Sequence, residues 1–246
     1  MFTFATNYSE RMAHVNPPQT RRERIFGETQ DELAAAARAL LVDGGPEAVT
    51  IRAVAGRAGM TGPAIYRYFP SRESLLERVI RDLYEELAEH LVRARESKRR
   101  GSVRDRMLAT SRAFRQWAFD HKAEFGLLFG APIPGVTVEK DEHDETGRAF
   151  GQLWLEMFAE IHASGRKLTW PNPVPKKLAK QVEGFVAEVG VDIPADAALL
   201  YLYCWQSLYG AVCTEVFGHL AWAITDGEDF FEGRLLELAA LLHLDE

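Results

Sequence analysis

Two tyrosines flank an arginine at positions 66 to 68, and threonines stand upstream at positions 50 and 61. The guanidinium of Arg67 can donate two hydrogen bonds to O6 and N7 of guanine. The hydroxyls of Tyr66 and Tyr68 can donate to phosphate oxygens. Thr50 and Thr61 each precede a short predicted helix, where free backbone N–H groups favour phosphate. These residue types and their spacing predict contacts with double-stranded nucleic acid.

Two short helices and a tight turn must position these side chains. Thr50 is an expected N-cap for a helix from Ile51 to Ala58. Ala55 and Ala58 are small, as required where a second helix crosses the first. Gly59 supplies the positive φ that a tight turn after the first helix needs.

The second short helix is expected to run from about Gly62 to Tyr68, with Thr61 as its N-cap and Ile65 as its inward apolar anchor. It must stop before Pro70, because the residue before proline disfavours helical geometry. A long helix then starts near Arg72, which adds a further cation for phosphate. The pattern is that of a helix-turn-helix.

The segment from Thr50 to Leu76, TIRAVAGRAGMTGPAIYRYFPSRESLL, resembles the DNA-binding domain of the tetracycline-repressor (TetR) family. Its length, its spacing, the turn glycine, the aromatic pair and the Phe-Pro-Ser exit all agree with that family. The match spans roughly residues 30 to 90. The resemblance implies an all-α fold in which an amino-terminal three-helix domain is joined by a long helix to a larger helical domain. That larger domain would dimerise and bind a small effector.

The resemblance also assigns roles to single residues. The expected phosphate-contacting residues are Thr50, Thr61, Tyr66, Tyr68 and Arg72. The expected base-facing residues are Gly62, Pro63, Ala64 and Arg67. Tyr68 stands where the family often has His, and Arg72 where it often has Lys. Gly62-Pro63-Ala64 replaces a commoner Lys-Gly-Thr type, which leaves Arg67 as the main direct reader of bases.

The net charge of -7 taken as a whole opposes nucleic-acid binding, but its distribution along the chain does not. Residues 1 to 72 hold nine Lys+Arg and seven Asp+Glu, a balance of +2, so the remainder carries -9. The expected reading cations are Arg67, Arg72 and Arg52, with a basic arm at Arg21–Arg24 as a further candidate. An acidic body would repel DNA except at the reading face.

The chain divides by prediction into a flexible basic arm (1–24), a helix-turn-helix domain (25–75) and a helical effector-binding and dimerisation domain (76–246). The first strong helix is expected from about Thr29 to Asp43. The later helices are expected at about Ser102 to His121, Lys122 to Phe129, Glu142 to Ser164, Pro175 to Val189, Ala195 to Ile224 and Glu228 to Leu244.

Aromatic residues cluster on the later helices. Most of them at helical spacing belong to an ordinary core, but helical bundles also enclose ligand cavities between their helices. The candidate lining residues are Phe114, Trp117, Trp154, Phe158, Trp205 and Tyr209. The candidate orienting polar residues are Ser111, Gln152, His162 and Gln206.

The last two helices are candidates for a homodimer interface, as the resemblance implies. The segment Cys204–Gly210 resembles a Trp-x-x-x-His-Gly signature of one branch of the family, with Tyr209 in place of His. Gly210 within a helix costs about 1 kcal/mol relative to Ala, which close approach of another helix would justify. The final helix has an apolar face of Leu235, Leu238, Leu241 and Leu242. Burial within one subunit would explain that face equally well.

Several classes of function find no support in the chain. Cys204 and Cys213 lie nine residues apart on one predicted helix, about 13.5 Å, too far for a mutual disulfide. No signal peptide, membrane span, metal-ligand spacing, nucleophile elbow or phosphate-binding glycine loop is present, so no cofactor or catalysis is expected. The acidic loop Glu139–Glu145 is expected to be solvated rather than a cation site. A cytoplasmic protein is expected.

The favoured hypothesis is a dimeric, ligand-responsive transcriptional regulator. It would act as a repressor that a small apolar effector releases from a pseudo-palindromic operator. The alternative is a helical small-molecule binding protein whose helix-turn-helix is vestigial.

Overall fold

The computed structural model describes residues 20–136 and 145–244, with the backbone alone for 145–149. Within these residues the chain forms ten α-helices and no β-strand, which confirms the all-α prediction. The same residues include no helix that is long and apolar enough to span a bilayer. A single 3₁₀ turn, Pro46–Ala48, follows the first helix. The helices are α1 Arg21–Gly44, α2 Ile51–Arg57, α3 Gly62–Ile65, α4 Arg72–Ser97, α5 Val103–Asp120, α6 Lys122–Phe129, α7 Glu145–Ala163, α8 Lys176–Val189, α9 Ala195–Val216 and α10 Glu228–Leu241.

Helix α1 begins earlier than the sequence analysis expected, at Arg21 rather than near Thr29. Thr20 forms a capping box in which Glu23 N donates to Thr20 Oγ1 at 3.2 Å and Thr20 N donates to the Glu23 carboxylate at 2.8 Å. Such reciprocal bonds satisfy N–H groups that a helix start otherwise leaves unpaired. The arginines predicted to form an arm, Arg21–Arg24, therefore lie in the first turn of α1.

Helix ends differ from prediction where local geometry ends the helical hydrogen bonding. α9 ends at Val216 instead of Ile224, and Gly218 follows with a positive φ of 70°. α10 ends at Leu241 instead of Leu244. α7 is described from Glu145 onward, so the residues expected at 142–144 lie outside the described part. The predicted acidic loop at 139–144 also lies outside it.

Contacts divide the chain into two compact units. The described part of the first unit comprises residues 20–87, 120–136 and 145–147, and that of the second comprises 88–119 and 148–244. The domain boundaries predicted at residues 24 and 75 stay predictions. The core of the first unit is built from fully buried aliphatic side chains: Leu33, Leu41, Val49, Val54, Ile65, Leu75, Leu76, Leu83 and Leu87.

An ionic cluster joins three helices of the first unit. Arg38 on α1 donates to Glu86 on α4 at 2.5 Å and to Glu124 on α6 at 3.2 Å. His121, just before α6, places its Nε2 3.6 Å from the Glu86 carboxylate. Glu124 is only 5% exposed. The hydrogen bond with Glu86 is the main cause that raises the pKa of Arg38, so the guanidinium stays charged against the buried carboxylate.

Ion pairs also connect the helices of the second unit. Arg112 on α5 makes two hydrogen bonds to Glu232 on α10, at 2.7 and 2.6 Å. Arg115 pairs in the same way with Glu215 on α9, at 2.8 and 2.5 Å. Bidentate guanidinium–carboxylate pairs fix orientation as well as distance. α5 is thereby held in a defined register against α9 and α10.

Candidate nucleic-acid interface and apolar cavity

The turn between α2 and α3 has the geometry that the sequence predicted. Ala53 N donates to Thr50 Oγ1 at 3.1 Å, which confirms Thr50 as the N-cap of α2. Gly59 adopts a φ of 66°, in the left-handed region that favours glycine. Met60 N then donates to Ala55 O at 2.8 Å and closes the turn. These bonds set the direction in which α3 leaves α2.

Helix α3 is shorter than predicted, and Thr61 does not cap it with its side chain. The regular helix ends at Ile65, after which Arg67 N bonds to Ala64 O and Tyr68 N bonds to Ile65 O in tighter turns. Pro70 does not explain this early end, because it restricts only the residue directly before it, Phe69. The hydroxyl of Thr61 is therefore not engaged by the backbone of α3.

The predicted base-facing and phosphate-contacting residues lie at the surface of this motif. Tyr66 is 56% exposed, and Arg67, Pro63 and Arg52 are also exposed. Thr50 and Thr61 are exposed, whereas Gly62, Ala64 and Tyr68 are half-buried. Ile65 and Phe69 are buried, as expected of the core. The polar side chains of the motif thus face solvent, and Ile65 and Phe69 anchor it to the core. Contact with DNA through these residues stays a prediction.

Helix α1 supports the end of the reading segment, which the sequence analysis did not anticipate. The rings of Phe26 and Tyr68 lie 4.8 Å apart between centroids. Gln30 Nε2 donates to Tyr68 O at 3.2 Å. The extension of α1 by its capping box places Phe26 within the helix. The orientation of Tyr68 is fixed from two sides.

Arg67 and Arg52 are the exposed cations best placed to read DNA. Neither has a carboxylate within 4 Å among residues 20–136 and 145–244, whereas Arg57 pairs with Asp43 at 2.7 Å. Unpaired guanidinium donors keep both hydrogen-bonding edges available for a base or a phosphate. Positive charge that no carboxylate neutralises is therefore available at Arg67, which the sequence analysis predicted to be the main direct reader of bases.

Arg72 has a structural role in addition to the predicted phosphate contact. Its Nε donates to Val49 O at 2.6 Å, and its Nη2 donates to Pro46 O at 2.7 Å. These bonds fasten the loop before α2 to the start of α4. The phosphate contact of Arg72 stays a prediction, and the remaining donors of its guanidinium are the ones that would make it.

Replacing Arg72 with methionine is expected to lower the free energy of unfolding by about 1–2 kcal/mol, because two carbonyl groups lose a charged donor. Urea unfolding followed by circular dichroism measures the change. Arg81→Met is the matched control, since Arg81 is exposed on the same helix and carries the same charge. Equal stability of the two variants would contradict a structural role for Arg72.

The second unit contains a small apolar cavity of about 50 Å³ that is partly open to solvent. Four helices supply its wall. Aliphatic side chains of α10 and the residues after it form one side: Leu235, Leu238, Ala239, Leu242 and Leu244. α9 contributes a stripe with helical spacing: Tyr201, Cys204, Trp205 and Leu208. α5 and α7 contribute the rest of the wall: Arg104, Met107, Leu108, Ser111, Trp154 and Phe158. This composition is typical of small-molecule sites.

Polar groups in the cavity wall are few. Ser111 Oγ donates to Met107 O at 2.9 Å, and the Tyr201 hydroxyl donates to Gly151 O at 3.2 Å. Burial raises the pKa of Tyr201 to about 12 and that of the Cys204 thiol to about 12, so both are uncharged at neutral pH. The indole Nε1 of Trp154 is buried and has no hydrogen-bond acceptor within the described part of the chain.

The cavity contains some of the predicted lining residues and not others. Trp154, Phe158 and Trp205 line it, as does the polar candidate Ser111. The structure does not place Phe114, Trp117 or Tyr209 in the wall. Phe114 and Trp117 are buried in the core, and Tyr209 stacks on Trp205 with ring centroids 5.8 Å apart. The polar candidates Gln152, His162 and Gln206 are likewise absent from the wall. Ligand binding stays a prediction.

The sequence left open whether the apolar face of the final helix is covered by a second subunit or by the same chain, and the structure answers this for three of its leucines. Leu235, Leu238 and Leu242 are buried within this single chain, where they line the cavity. Sequence analysis identified their common face but not what covers it. The i, i+3, i+4 and i+7 spacing of Tyr201, Cys204, Trp205 and Leu208 was the available signal for the opposite wall.

Two regions of the chain match family profiles. A profile described as "Bacterial regulatory proteins, tetR family" matches residues 33–79. A second, described as "Tetracyclin repressor-like, C-terminal domain", matches residues 107–238. The first match covers the helix-turn-helix, and the second covers most of the cavity wall.

Known regulators and solved structures are similar to this chain over most of its length. The HTH-type transcriptional regulators Rv1816 of Mycobacterium tuberculosis and Mb1846 of Mycobacterium bovis are each 32% identical over 209 residues, covering 83% of this chain and 88% of theirs. The crystal structure of putative regulatory protein SCO4313 is 26% identical, with a TM-score of 0.69, covering 90% of this chain and 100% of that one. A Rhodococcus sp. RHA1 protein of unknown function shares the fold, with a TM-score of 0.62, 21% identity and coverage of 87% and 93%.

Proposed function

This chain belongs to the TetR family of transcriptional regulators, and on that premise we propose that it is a ligand-responsive repressor. It binds a pseudo-palindromic operator as a homodimer and is released by a small, largely apolar effector. The proposal is carried by the presence, in one chain, of an exposed reading face around Arg67 and a partly open apolar cavity. Each reading segment enters a major groove, and the two half-sites lie about 34–36 Å apart or a multiple of that distance.

Release from the operator follows from a difference in the effector's affinity for two conformations of the dimer. A ligand shifts an equilibrium between two conformations only as far as it binds one more tightly than the other. An effector that prefers the form with wrongly spaced reading segments lowers the affinity for the operator. By the same linkage, operator DNA lowers the affinity for the effector.

Selection of bound fragments from genomic DNA tests the operator. The purified dimer is expected to enrich a two-fold symmetric sequence and to shift that duplex, but not a scrambled one of equal composition, in a gel titration. Enrichment of no symmetric sequence would contradict the proposal. Binding of small molecules without any specific duplex would favour the alternative, a binding protein with a vestigial helix-turn-helix.

Helices α9 and α10 carry the proposed homodimer interface. With Leu235, Leu238 and Leu242 buried inside the chain, the candidate surface consists of other apolar residues. Leu236 is 47% exposed, and Phe230 and Phe217 are also exposed. At Gly210, a Cβ atom would meet no atom of another described element within 4 Å. The close approach expected at Gly210 is therefore absent among the residues that the structure describes, and an approach by a second copy is what the proposal requires there.

Leu236→Ala is expected to raise the dimer dissociation constant about tenfold, because two symmetry-related leucines each lose buried apolar area. Sedimentation velocity over a concentration series measures the change. Leu178→Ala is the matched control, since Leu178 is an exposed leucine on α8. If both variants dimerise like the parent chain, another surface forms the dimer.

A further inference from the structure

We propose that the cavity of the second unit binds an uncharged, largely apolar molecule whose hydrogen-bond acceptor is held by the indole N–H of Trp154. A ketone or an ester on a hydrocarbon or aromatic body has this chemistry. The inference deepens the proposed function and rests on it in one respect, since the molecule would be the effector.

The indole N–H of Trp154 is a donor without an acceptor. Trp154 is 4% exposed, and its Nε1 atom finds no hydrogen-bond partner among the residues that the structure describes. Buried donors are nearly always paired, because leaving one unsatisfied opposes folding. Since Trp154 lines the cavity, an acceptor on a molecule inside it is the natural partner.

The other polar groups of the wall restrict the ligand further. Ser111 and Tyr201 already donate their hydroxyl protons to carbonyl groups of the chain. The Cys204 thiol is protonated at neutral pH, because burial raises its pKa to about 12. The remaining wall is mostly aliphatic, with Phe158 and Trp205 as its aromatic members. The indole N–H of Trp205 is not among the buried unpaired atoms, which distinguishes it from that of Trp154. A ligand that matches this surface is apolar over most of its area and meets Trp154 with one acceptor.

Arg104 is the cationic side chain of the wall, and it would suit a carboxylate ligand. The hydrogen bonds from Ser102 and, to a smaller extent, the charge of Arg104 lower the pKa of the adjacent Asp105, which places an anion beside this cation. Arg104 is also half-exposed, so its donors are accessible to water. The orphan donor of Trp154 is neutral and fully enclosed. These differences favour an uncharged acceptor over an anion.

Equilibrium dialysis of the full chain with a matched pair of probes tests the inference. Butyrophenone and butylbenzene share one carbon skeleton, but butyrophenone has a carbonyl group where butylbenzene has a methylene. Trp154→Phe removes the N–H while keeping an aromatic ring. We expect this change to weaken butyrophenone binding about tenfold and butylbenzene binding by less than about twofold. Each probe is compared between the parent chain and the variant. The affinities of the two probes for one protein also differ because the carbonyl group loses its hydration when it leaves water.

Phe158→Leu is the control, since Phe158 lines the same cavity without a hydrogen-bonding group, and it should change the binding of both probes equally. The inference fails if Trp154→Phe weakens both probes equally or neither, or if butyrophenone does not bind the parent chain. It also fails if phenylbutyrate binds more tightly than butyrophenone and Arg104→Met removes that preference.

A second measurement does not depend on the folding of the variant. In the parent chain labelled with ¹⁵N-tryptophan, the indole proton of Trp154 is expected to move downfield with butyrophenone and not with butylbenzene. The other four tryptophans, replaced singly by phenylalanine, assign the signal. No movement with the ketone overturns the inference.

All of these titrations contain no DNA. Failure of the ligand inference would therefore leave operator binding intact, and failure of operator binding would leave the probe affinities unchanged.

Discussion

Replacing Arg67 with alanine is expected to weaken operator binding by about 1–3 kcal/mol, or roughly five- to 150-fold. Arg67 is exposed beyond the end of α3, with no carboxylate within 4 Å in the described part of the chain. Its two parallel donors match the O6 and N7 acceptors of guanine, and alanine leaves those acceptors without a protein partner.

The loss should be specific to one base pair. Fluorescence anisotropy with the selected operator and with single-base variants at each position measures it. In the parent complex one guanine position in each half-site should be strictly required, and in Arg67→Ala that position should accept any base.

Tyr66→Phe is the matched control for this experiment. Tyr66 is the neighbouring residue, 56% exposed, and its hydroxyl is expected to contact phosphate. Loss of the hydroxyl should weaken binding to every duplex by a similar factor. Uniform weakening by Arg67→Ala as well would show that Arg67 contacts phosphate and not a base.

Replacing Arg38 with methionine is expected to lower the free energy of unfolding by about 3 kcal/mol. Arg38 is held by Glu86 and Glu124, and Glu124 is the buried member of the cluster. Methionine retains much of the aliphatic volume but leaves a buried carboxylate without its cation. Breaking a buried pair from one side is costly for that reason.

Arg78→Met is the control on the same pair of helices. Arg78 on α4 pairs with Asp31 on α1 at 2.6 Å and with Asp82 at 2.7 Å, but both carboxylates are largely accessible to water. Exposed pairs contribute about 0–1 kcal/mol. Urea unfolding of the two variants should therefore give clearly different losses.

A double variant isolates the cause. Adding Glu124→Gln to Arg38→Met removes the buried charge and should restore part of the lost stability. If the single and double variants are equally unstable, the cost lies in packing around Arg38 and not in the unpaired carboxylate.

Short-range patterns predicted the helix-turn-helix well. Thr50, Gly59 and Pro70 act within four or five residues of themselves, through a cap, a positive φ and a restricted neighbour. The same local reasoning failed at Thr61 and at the start of α1. A capping box further upstream, at Thr20 and Glu23, extended α1 through a segment that had been expected to form an arm.

Periodicity identified apolar faces but not what covers them. The face of Leu235, Leu238, Leu241 and Leu242 was predicted to lie either in a dimer interface or within one subunit, and only the packed chain shows three of these leucines, Leu235, Leu238 and Leu242, in a cavity wall. Phe114, Trp117 and Tyr209 had the same aromatic character as Trp154 and Trp205, yet they lie outside that wall. Residue type on one helix cannot distinguish them, because the position of a wall depends on the facing helices.

The sequence alone determined the turn of the reading head, from the N-cap at Thr50 to the positive φ of Gly59, since caps and turn glycines act on the backbone within one or two helical turns. The tertiary structure decided which side chains meet across long separations in the chain. Arg72 binds carbonyl groups at positions 46 and 49, and Arg38 meets carboxylates 48 and 86 residues away. It also decided that the indole of Trp154 is buried without a partner within the described chain. Such pairings depend on helix packing, which periodicity constrains to a face but not to a neighbour.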